Sequence, residues 1–410
     1  MSPGRDWGRA QTNRDEEPVS QPIYMDYNAT TPVDPRVVEA MLPTMTEQFG
    51  NAASRTHPYG WAAAKLAEGA RERLAAGIGA QPEEIIFTSG ATESNNLAIK
   101  GVVWGLERRG KHIVTCVTEH KAVLDPCQAL VRGGVRVTVL PVDSLGRLDA
   151  ERLAAALEAE PALVSVMLAN NETGTLQPIP RIAAACHERG ALVHCDATQA
   201  VGKIPVDVNA LGVDLLSFSA HKIYGPKGMG ALFVRRRKAR LHLVPLLDGG
   251  GHEQGLRSGT LNVPGVVGFA RALELALAEM PGESARLAEL RDRLDGAIRP
   301  RLEGVTLNGH PVERLPNTVN LSFAGVNGAA LLVGLSEVAV ASGSACTSAD
   351  PKPSHVLLAM GRSKELANAS IRFSLGRNTT AEEVEIVADA VVREVQRLRH
   401  DSPLWRDHRA

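Results

Sequence analysis

From Glu84 to Val234 the sequence alternates short apolar runs with longer stretches of helical periodicity, and few architectures accept that order. The strand-like runs are Glu84–Thr88, His112–Thr118, Val135–Val142, Leu163–Ala169, Ala191–Asp196, Asp214–Ser219 and Ala231–Val234. Helix-like runs such as Glu93–Val103, Ala122–Val131, Ala150–Leu157 and Ile179–Glu188 separate most of them. Such alternation predicts an α/β fold with a mostly parallel, seven-stranded sheet covered on both faces. The strands are almost continuously apolar, as a sheet buried on both faces requires.

The flanking segments read differently. Residues 1–22 mix charges with Gly and Pro and hold no apolar stretch for a secretory signal, so a disordered tail is expected. Ile23–Pro32 reads as a short strand entering a polar turn, and helical patterns follow to about Gly77, with a turn at Phe49–Ser54. Past Gly249-Gly250-Gly251 a helical run extends from Val263 to about Arg301, and Pro281-Gly282 is expected to break it and mark a domain boundary. The expected division is a large domain over 23–280, with 23–45 contributing to the second domain, and a smaller α+β domain over 281–410.

A formal net charge of −1 on 410 residues gives no reason to expect nucleic acid or an anionic membrane as partner. The longest uncharged run, Leu315–Ser336, is interrupted by proline, asparagines and glycines and is no membrane span. Five cysteines (116, 127, 186, 195 and 346) form no C-x-x-C pair, which fits a reducing cytoplasm.

Ligands of open parallel sheets bind beyond the carboxyl ends of the strands, so the residues there carry the functional reading. Successive strand ends lead to Ser89-Gly90-Ala91-Thr92 opening a helix, to Glu119-His120, to Asn170-Asn171-Glu172, to Asp196, Thr198 and Gln199, and to Ser219, His221 and Lys222. Taken singly, these are an N-cap, a core histidine, a turn asparagine, a capping carboxylate and a snorkelling lysine. Together they match what pyridoxal phosphate needs. That cofactor takes a lysine for its aldehyde, an anion site for its phosphate and a carboxylate to keep its ring nitrogen protonated. Metal binding fits worse, since the histidines lack ligand spacing, and no dinucleotide fingerprint follows the first strand.

The stretches Tyr24-Met25-Asp26-Tyr27-Asn28-Ala29-Thr30-Thr31-Pro32, Ser89–Ser94, Thr118-Glu119-His120-Lys121, Asp196-Ala197-Thr198-Gln199 and Ser219-Ala220-His221-Lys222 resemble class V aminotransferase-fold enzymes. Ser342-Gly343-Ser344-Ala345-Cys346-Thr347-Ser348 narrows the resemblance to cysteine desulfurases of the IscS/NifS type, in register from about Ile23 to Trp405. It implies fold type I of the pyridoxal phosphate-dependent transferases. Lys222 would hold the cofactor, His120 would stack on its ring, and Asp196 would pair with the ring nitrogen. Gln199 and Asn171 would lie near the phenolic oxygen, Asn171 also near the substrate. Ala91, Thr92, Ser219 and His221 would bind phosphate, helped by Thr260 of a second subunit, which implies a homodimer with shared active sites. Arg372 would clamp the carboxylate of L-cysteine, for which a planar fork is suited.

Residues 341–353 are nearly all small or polar, so a mobile, exposed loop is expected around Cys346. By the resemblance Lys222, His120 and Cys346 are catalytic. Lys222 would remove the Cα proton and Cys346 would take the substrate sulfur as a persulfide, leaving alanine. The sulfur would pass to an iron–sulfur scaffold protein or another acceptor, such as in tRNA thiolation. No metal site is expected, save that Cys346 is a candidate iron–sulfur ligand in a scaffold complex. The short Arg-x-Gly-His-His-Cys loop of the other desulfurase subgroup is missing, and the sequence ends soon after Trp405, short of the scaffold-docking extension many relatives carry. The alternatives are a class V aminotransferase or selenocysteine lyase on the same fold, and a catalytically silent sulfur carrier.

Overall fold

The computed structural model describes residues 21–106, 111–236, 241–342, 353–400 and 402–409. The expected tail at 1–22 lies almost wholly outside them, as does most of the 341–353 loop, Cys346 included. In chain order the strands are β1 (Ile23–Tyr24), β2 (Ile85–Thr88), β3 (His112–Cys116), β4 (Arg136–Leu140), β5 (Leu163–Ser165) and β6 (Leu192–Asp196). There follow β7 (Leu215–Ser219), β8 (Gly230–Val234), β9 (Val305–Asn308), β10 (Thr318–Phe323), β11 (Val338–Ala339) and β12 (Ser370–Ser374).

Seven strands form the large sheet in the order β2-β8-β7-β6-β5-β3-β4, and they are the seven expected from the apolar runs. The pairs from β4 through β7 are parallel, while β8 runs antiparallel to both its neighbours. Between successive parallel strands the chain crosses over through helices such as Lys121–Arg132, Ala150–Leu157 and Ile179–Glu188. Apolar side chains cover both faces, with Val114, Val193 and Phe218 in one core and Ile113, Leu192 and Leu215 in the other. The ladder of β5 stops at Ser165, four residues before the apolar run ends. The Met167 N–H donates to the buried Glu119 carboxylate at 2.8 Å, and that side chain replaces a strand partner.

A three-stranded antiparallel sheet, β12-β10-β9, builds the second core around Leu321, Phe323, Ile371 and Phe373. The N-terminal β1 pairs in parallel with β11, which puts Met25 in this second core. The helix Val263–Ile298 runs 36 residues straight past Pro281-Gly282, contrary to the break expected there. An interior proline costs about 3 kcal/mol of helix stability. Here Pro281 and Gly282 are exposed, so water can satisfy the carbonyl that proline leaves unpaired. Packing supplies the rest: Phe269 and Leu273 lie in the large-sheet core, and Leu287, Leu290 and Leu294 lie in the second. No helix among the described residues is long and apolar enough to cross a membrane.

His194 on β6 is fully buried, with Nδ1 2.8 Å from Ser165 Oγ and Nε2 3.0 Å from Ser217 Oγ. Burial pulls its pKa down to about 4, against the opposing charge of Asp196. The folded chain therefore binds fewer protons here than the unfolded chain. The associated stability is fully present above the unfolded value near 6.5 and is lost as pH falls from there toward 4. The loss should reach about 2 kcal/mol at pH 5. Urea unfolding of the parent and His194→Gln at pH 7 and pH 5 checks this, since the variant should lose less; equal losses would remove His194 as the cause.

Candidate active site

The loops beyond β2, β3, β5, β6 and β7 converge on one cavity of about 520 Å³, and Arg372 of β12 closes it from the second sheet. Ala91, Thr92, His120, Asn171, Asp196, Gln199, Ser219, His221, Lys222 and Arg372, all named from the sequence, line it. Thr260 is exposed and lies outside this lining in its own chain, and Cys346 falls outside the described residues.

At the end of β2 the Thr88 hydroxyl lies 2.7 Å from Ser94 Oγ and 3.1 Å from the Gly90 carbonyl oxygen, folding the turn onto the next helix. That helix, Ala91–Gly105, starts at Gly90 with no side-chain cap, so its first N–H groups remain available to an anion. A side chain on Gly230 of the neighbouring β8 would put its Cβ 2.5 Å from the Gly90 Cα. Only glycine lets these backbones approach so closely.

Asp196, at the tip of β6, is buried and held from both sides. Its Oδ2 accepts from Asn95 Nδ2 at 2.8 Å and its Oδ1 from the Thr198 N–H at 3.0 Å. His120 caps the Lys121–Arg132 helix, its Nδ1 accepting from the Ala122 N–H at 3.1 Å. The neutral ring then carries its proton on Nε2. Burial lowers the His120 pKa, opposed by the Asp196 carboxylate. Burial, aided by the Lys222 and Lys227 charges, brings His221 down to about 4. Both imidazoles are neutral near pH 7.

Lys222 Nζ donates to the main-chain carbonyls of Asn28 at 2.5 Å and Ala29 at 2.6 Å. Arg372 donates from one terminal nitrogen to the Asn171 carbonyl at 3.0 Å and from the other to Asp26 Oδ1 at 2.6 Å. Its buried Nε has no hydrogen-bond partner among the described residues, nor has the buried Thr198 Oγ1. Beneath Asn171 the buried Glu172 accepts from Ser354 Oγ at 2.5 Å, and burial raises its pKa to about 7.

Lysine, buried carboxylate, neutral imidazole, uncapped helix and arginine form one constellation, and its relatives share a description. A family model for class-V aminotransferases matches residues 23–387. A cysteine desulfurase IscS of Anaeromyxobacter sp. (strain Fw109-5) is 56% identical over 384 residues, 94% of this chain and 95% of that one. The chain belongs to the class-V aminotransferase family, in its cysteine desulfurase branch. Among solved structures, a NifS-like protein matches with TM-score 0.85 and 40% identity, covering 92% of this chain and all of that one (100%). A structure described as SspA in complex with cysteine matches with TM-score 0.76 and 37% identity, over 86% of this chain and 98% of the other.

For a desulfurase the state of each thiol matters. Cys116, Cys127, Cys186 and Cys195 are buried and unpaired. Burial pushes the first three up to about 12, and Cys195 well above its ordinary value. None of these four forms a thiolate near neutral pH.

Two further residues complete the site and were not singled out from the sequence as site residues. Asn28 sits in the polar turn after β1, and Asn95 lies one turn into the helix that opens at Ala91. A signal for Asn95 did exist, since an amide on the buried face of a helix needs a polar partner. Asn28 was visible only as part of the resembling Tyr24–Pro32 stretch, because its role depends on β1 pairing with a strand some 300 residues away.

The Gly230–Gly90 approach is directly testable. Gly230→Ala should cost about 1–3 kcal/mol, the usual penalty for forcing atoms into a packed site. Thermal unfolding of the variant measures it, and an unchanged midpoint would show that β2 and β8 part at no cost.

Proposed function

We propose that this chain is a pyridoxal phosphate-dependent cysteine desulfurase, a sulfurtransferase that converts L-cysteine to L-alanine and takes the sulfur as a persulfide on Cys346. The observation that carries this reading is the convergence of Lys222, Asp196, His120 and the uncapped Ala91–Gly105 helix on one cavity. Its volume of about 520 Å³ suits a small aromatic phosphate together with an amino acid. The buried Thr198 hydroxyl and Arg372 Nε, both lacking partners, are further donors for polar ligand groups.

In this reading Lys222 would hold the cofactor, Asp196 would pair with its ring nitrogen and His120 would support its ring. Gln199 and Asn171 would serve its phenolic oxygen, while Ala91, Thr92, Ser219 and His221 would hold its phosphate. When bound, the cofactor supplies an aldehyde for an amine and a cationic ring that stores an electron pair. Asp196, fixed by Asn95 and the Thr198 N–H, stays in position to keep that ring cationic. The Lys222 amine takes the Cα proton of the substrate. His120, neutral with its proton on Nε2, can deliver a proton to the departing group. Arg372 orients the substrate carboxylate, using a planar fork already set by Asp26 and Asn171.

Cys346 attacks the substrate sulfur as a thiolate. The sulfur–Cβ bond breaks, its electron pair stays with carbon and is protonated there, and the released product is alanine. The persulfide then passes to an iron–sulfur scaffold protein or another acceptor. The relative described as SspA in complex with cysteine supports cysteine as the substrate. The burial of the other four thiols supports Cys346 as the nucleophile.

Association into a homodimer belongs to the same reading. Val38, Leu42, Met45, Phe49, Tyr59 and Trp61 are exposed apolar side chains on and between the first two helices, a surface suited to a second copy. Thr260, exposed and away from its own cavity, is free to serve the partner's. A division between domains near residue 281 fits the passage of the Val263–Ile298 helix from one core to the other. Work in a reducing cytoplasm is supported by the unpaired thiols.

The test is a product assay with L-cysteine and a thiol reductant. The parent should form sulfide and alanine in equal amounts, and Cys346→Ala should lose at least 100-fold in both, the scale expected when a nucleophile is removed. Alanine without sulfide, or a Cys346→Ala variant as active as the parent, would overturn the assignment.

A further inference from the structure

Lys203 takes no part in the chemistry described so far, yet it reaches the groups that hold Lys222. Its Nζ donates to Gln199 Oε1 at 2.9 Å and lies 3.3 Å from Asn28 Oδ1. Gln199 in turn donates from Nε2 to the Asn28 carbonyl oxygen at 3.0 Å, and that same oxygen accepts from Lys222 Nζ at 2.5 Å. Both lysines line a small cavity of about 20 Å³ together with Asn317 and Glu283. The backbone of Lys203 is tied down as well, its carbonyl oxygen accepting from Ser284 Oγ at 2.7 Å.

We propose that Lys203 is a positioning residue that fixes the orientation of the Gln199 amide, so that Gln199 offers an N–H, and not its oxygen, to the phenolic oxygen of the cofactor. A lysine amine in its charged form has donors and no acceptor, so it can meet only the oxygen end of an amide. The nitrogen end must then point the other way. One of its two hydrogens goes to the Asn28 carbonyl, and the second is left for the cavity that Gln199 lines. Without Lys203 only the Asn28 carbonyl selects the nitrogen end, so the amide turns over more readily and then sets its oxygen against the oxygen of the ligand. The assignment rests on the reading of the large cavity as a pyridoxal phosphate site.

Electrostatics act against the charged form of this amine, which is fully present only below the pH at which it titrates. Burial and then the Lys222 and Arg372 charges bring the Lys203 amine down to about 7, with Glu283 opposing. Tyr27, Tyr224 and Arg377 line the same small cavity. A donor to the phenolic oxygen stabilises that oxygen as an anion and weakens its hold on the neighbouring proton of the lysine–cofactor linkage. Removing the donor should therefore raise the pH at which the visible band of the bound cofactor changes.

The experiment uses the parent holoprotein, Lys203→Met, Lys203→Ala and Lys203→Gln. Two quantities are read: the dissociation constant of pyridoxal phosphate from the apoprotein, and the midpoint of the pH titration of the visible band. The methionine and alanine variants should bind cofactor several-fold more weakly, with a midpoint raised by about half a unit or more. Lys203→Gln can still offer an N–H to the Gln199 oxygen, without the charge, and should fall between the methionine variant and the parent. The alanine variant serves if the methionine does not pack. Parent-like affinity and midpoint without the Lys203 amine would overturn the assignment. So would a glutamine variant shifted as far as the methionine, since charge and not orientation would then be the cause. A parent that takes up no pyridoxal phosphate would overturn the reading of the cavity itself, and this assignment with it.

Discussion

Two main-chain carbonyls, those of Asn28 and Ala29, hold the Lys222 amine, and much of the structure serves to keep that turn where it is. A hydrogen bond from a charged amine to a carbonyl contributes about 1.5–3 kcal/mol, but only if the carbonyl does not move away. Asn28 is therefore held by two strands of the second sheet. Its N–H donates to Ser374 Oγ on β12 at 2.9 Å, and its side-chain amide donates to Thr318 Oγ1 on β10 at 2.9 Å. Its side-chain oxygen accepts from Asn317 at 3.1 Å. The pairing of β1 with β11 brings this turn to the seam between the two cores. The candidate site is thus built across a junction, with the lysine from one sheet and the arginine from the other.

Around that junction burial decides which groups carry charge. The same low-dielectric surroundings that keep His120, His221 and His194 neutral raise the carboxyl of Glu119 well above its usual range. Glu119 serves structurally, its carboxyl accepting the Met167 N–H where β5 loses its β3 partner, while the chain keeps its bonds to β6. Where a charge is kept, it is paired. Arg372 meets Asp26, and Arg377 meets Asp34 at 2.5 Å and Glu283 at 3.3 Å while stacking 4.2 Å over the Tyr224 ring. Removing one partner of such a pair costs more than the pair contributes, because the other charge stays buried. The Arg377 contacts link the loop after β12 to the first helix and to the helix shared by both cores.

What could be read from the residues follows the range of the interactions involved. The strands of the large sheet were legible because burial on both faces keeps them largely apolar, the partly exposed edge strand β4 excepted. Nine of the cavity residues were legible because a parallel sheet delivers its strand ends to one rim, and the tenth, Arg372 of β12, only through the family resemblance. The continuous helix through Pro281 was not. The local cost of proline can be seen in a window of a few residues, whereas the packing that offsets it comes from Phe269 on one side and Leu294 on the other. The early end of β5 was hidden for a related reason, since a carboxylate 48 positions away takes over the ladder bond.

The fate of the five cysteines follows from the same physics. A sulfur nucleophile must be a thiolate, and a thiolate needs either solvent or a cation beside it. The sheet interior supplies neither to Cys116 or Cys195, where the nearest charges are the carboxylates of Glu119 and Asp196, which push the thiols further up. Those cysteines act as small apolar residues, and their inertness protects the fold from its own chemistry. A chain that handles sulfur must keep its reactive thiol outside such a core. Cys346 stands in a run of Gly, Ser, Ala and Thr that holds no large apolar side chain to bury.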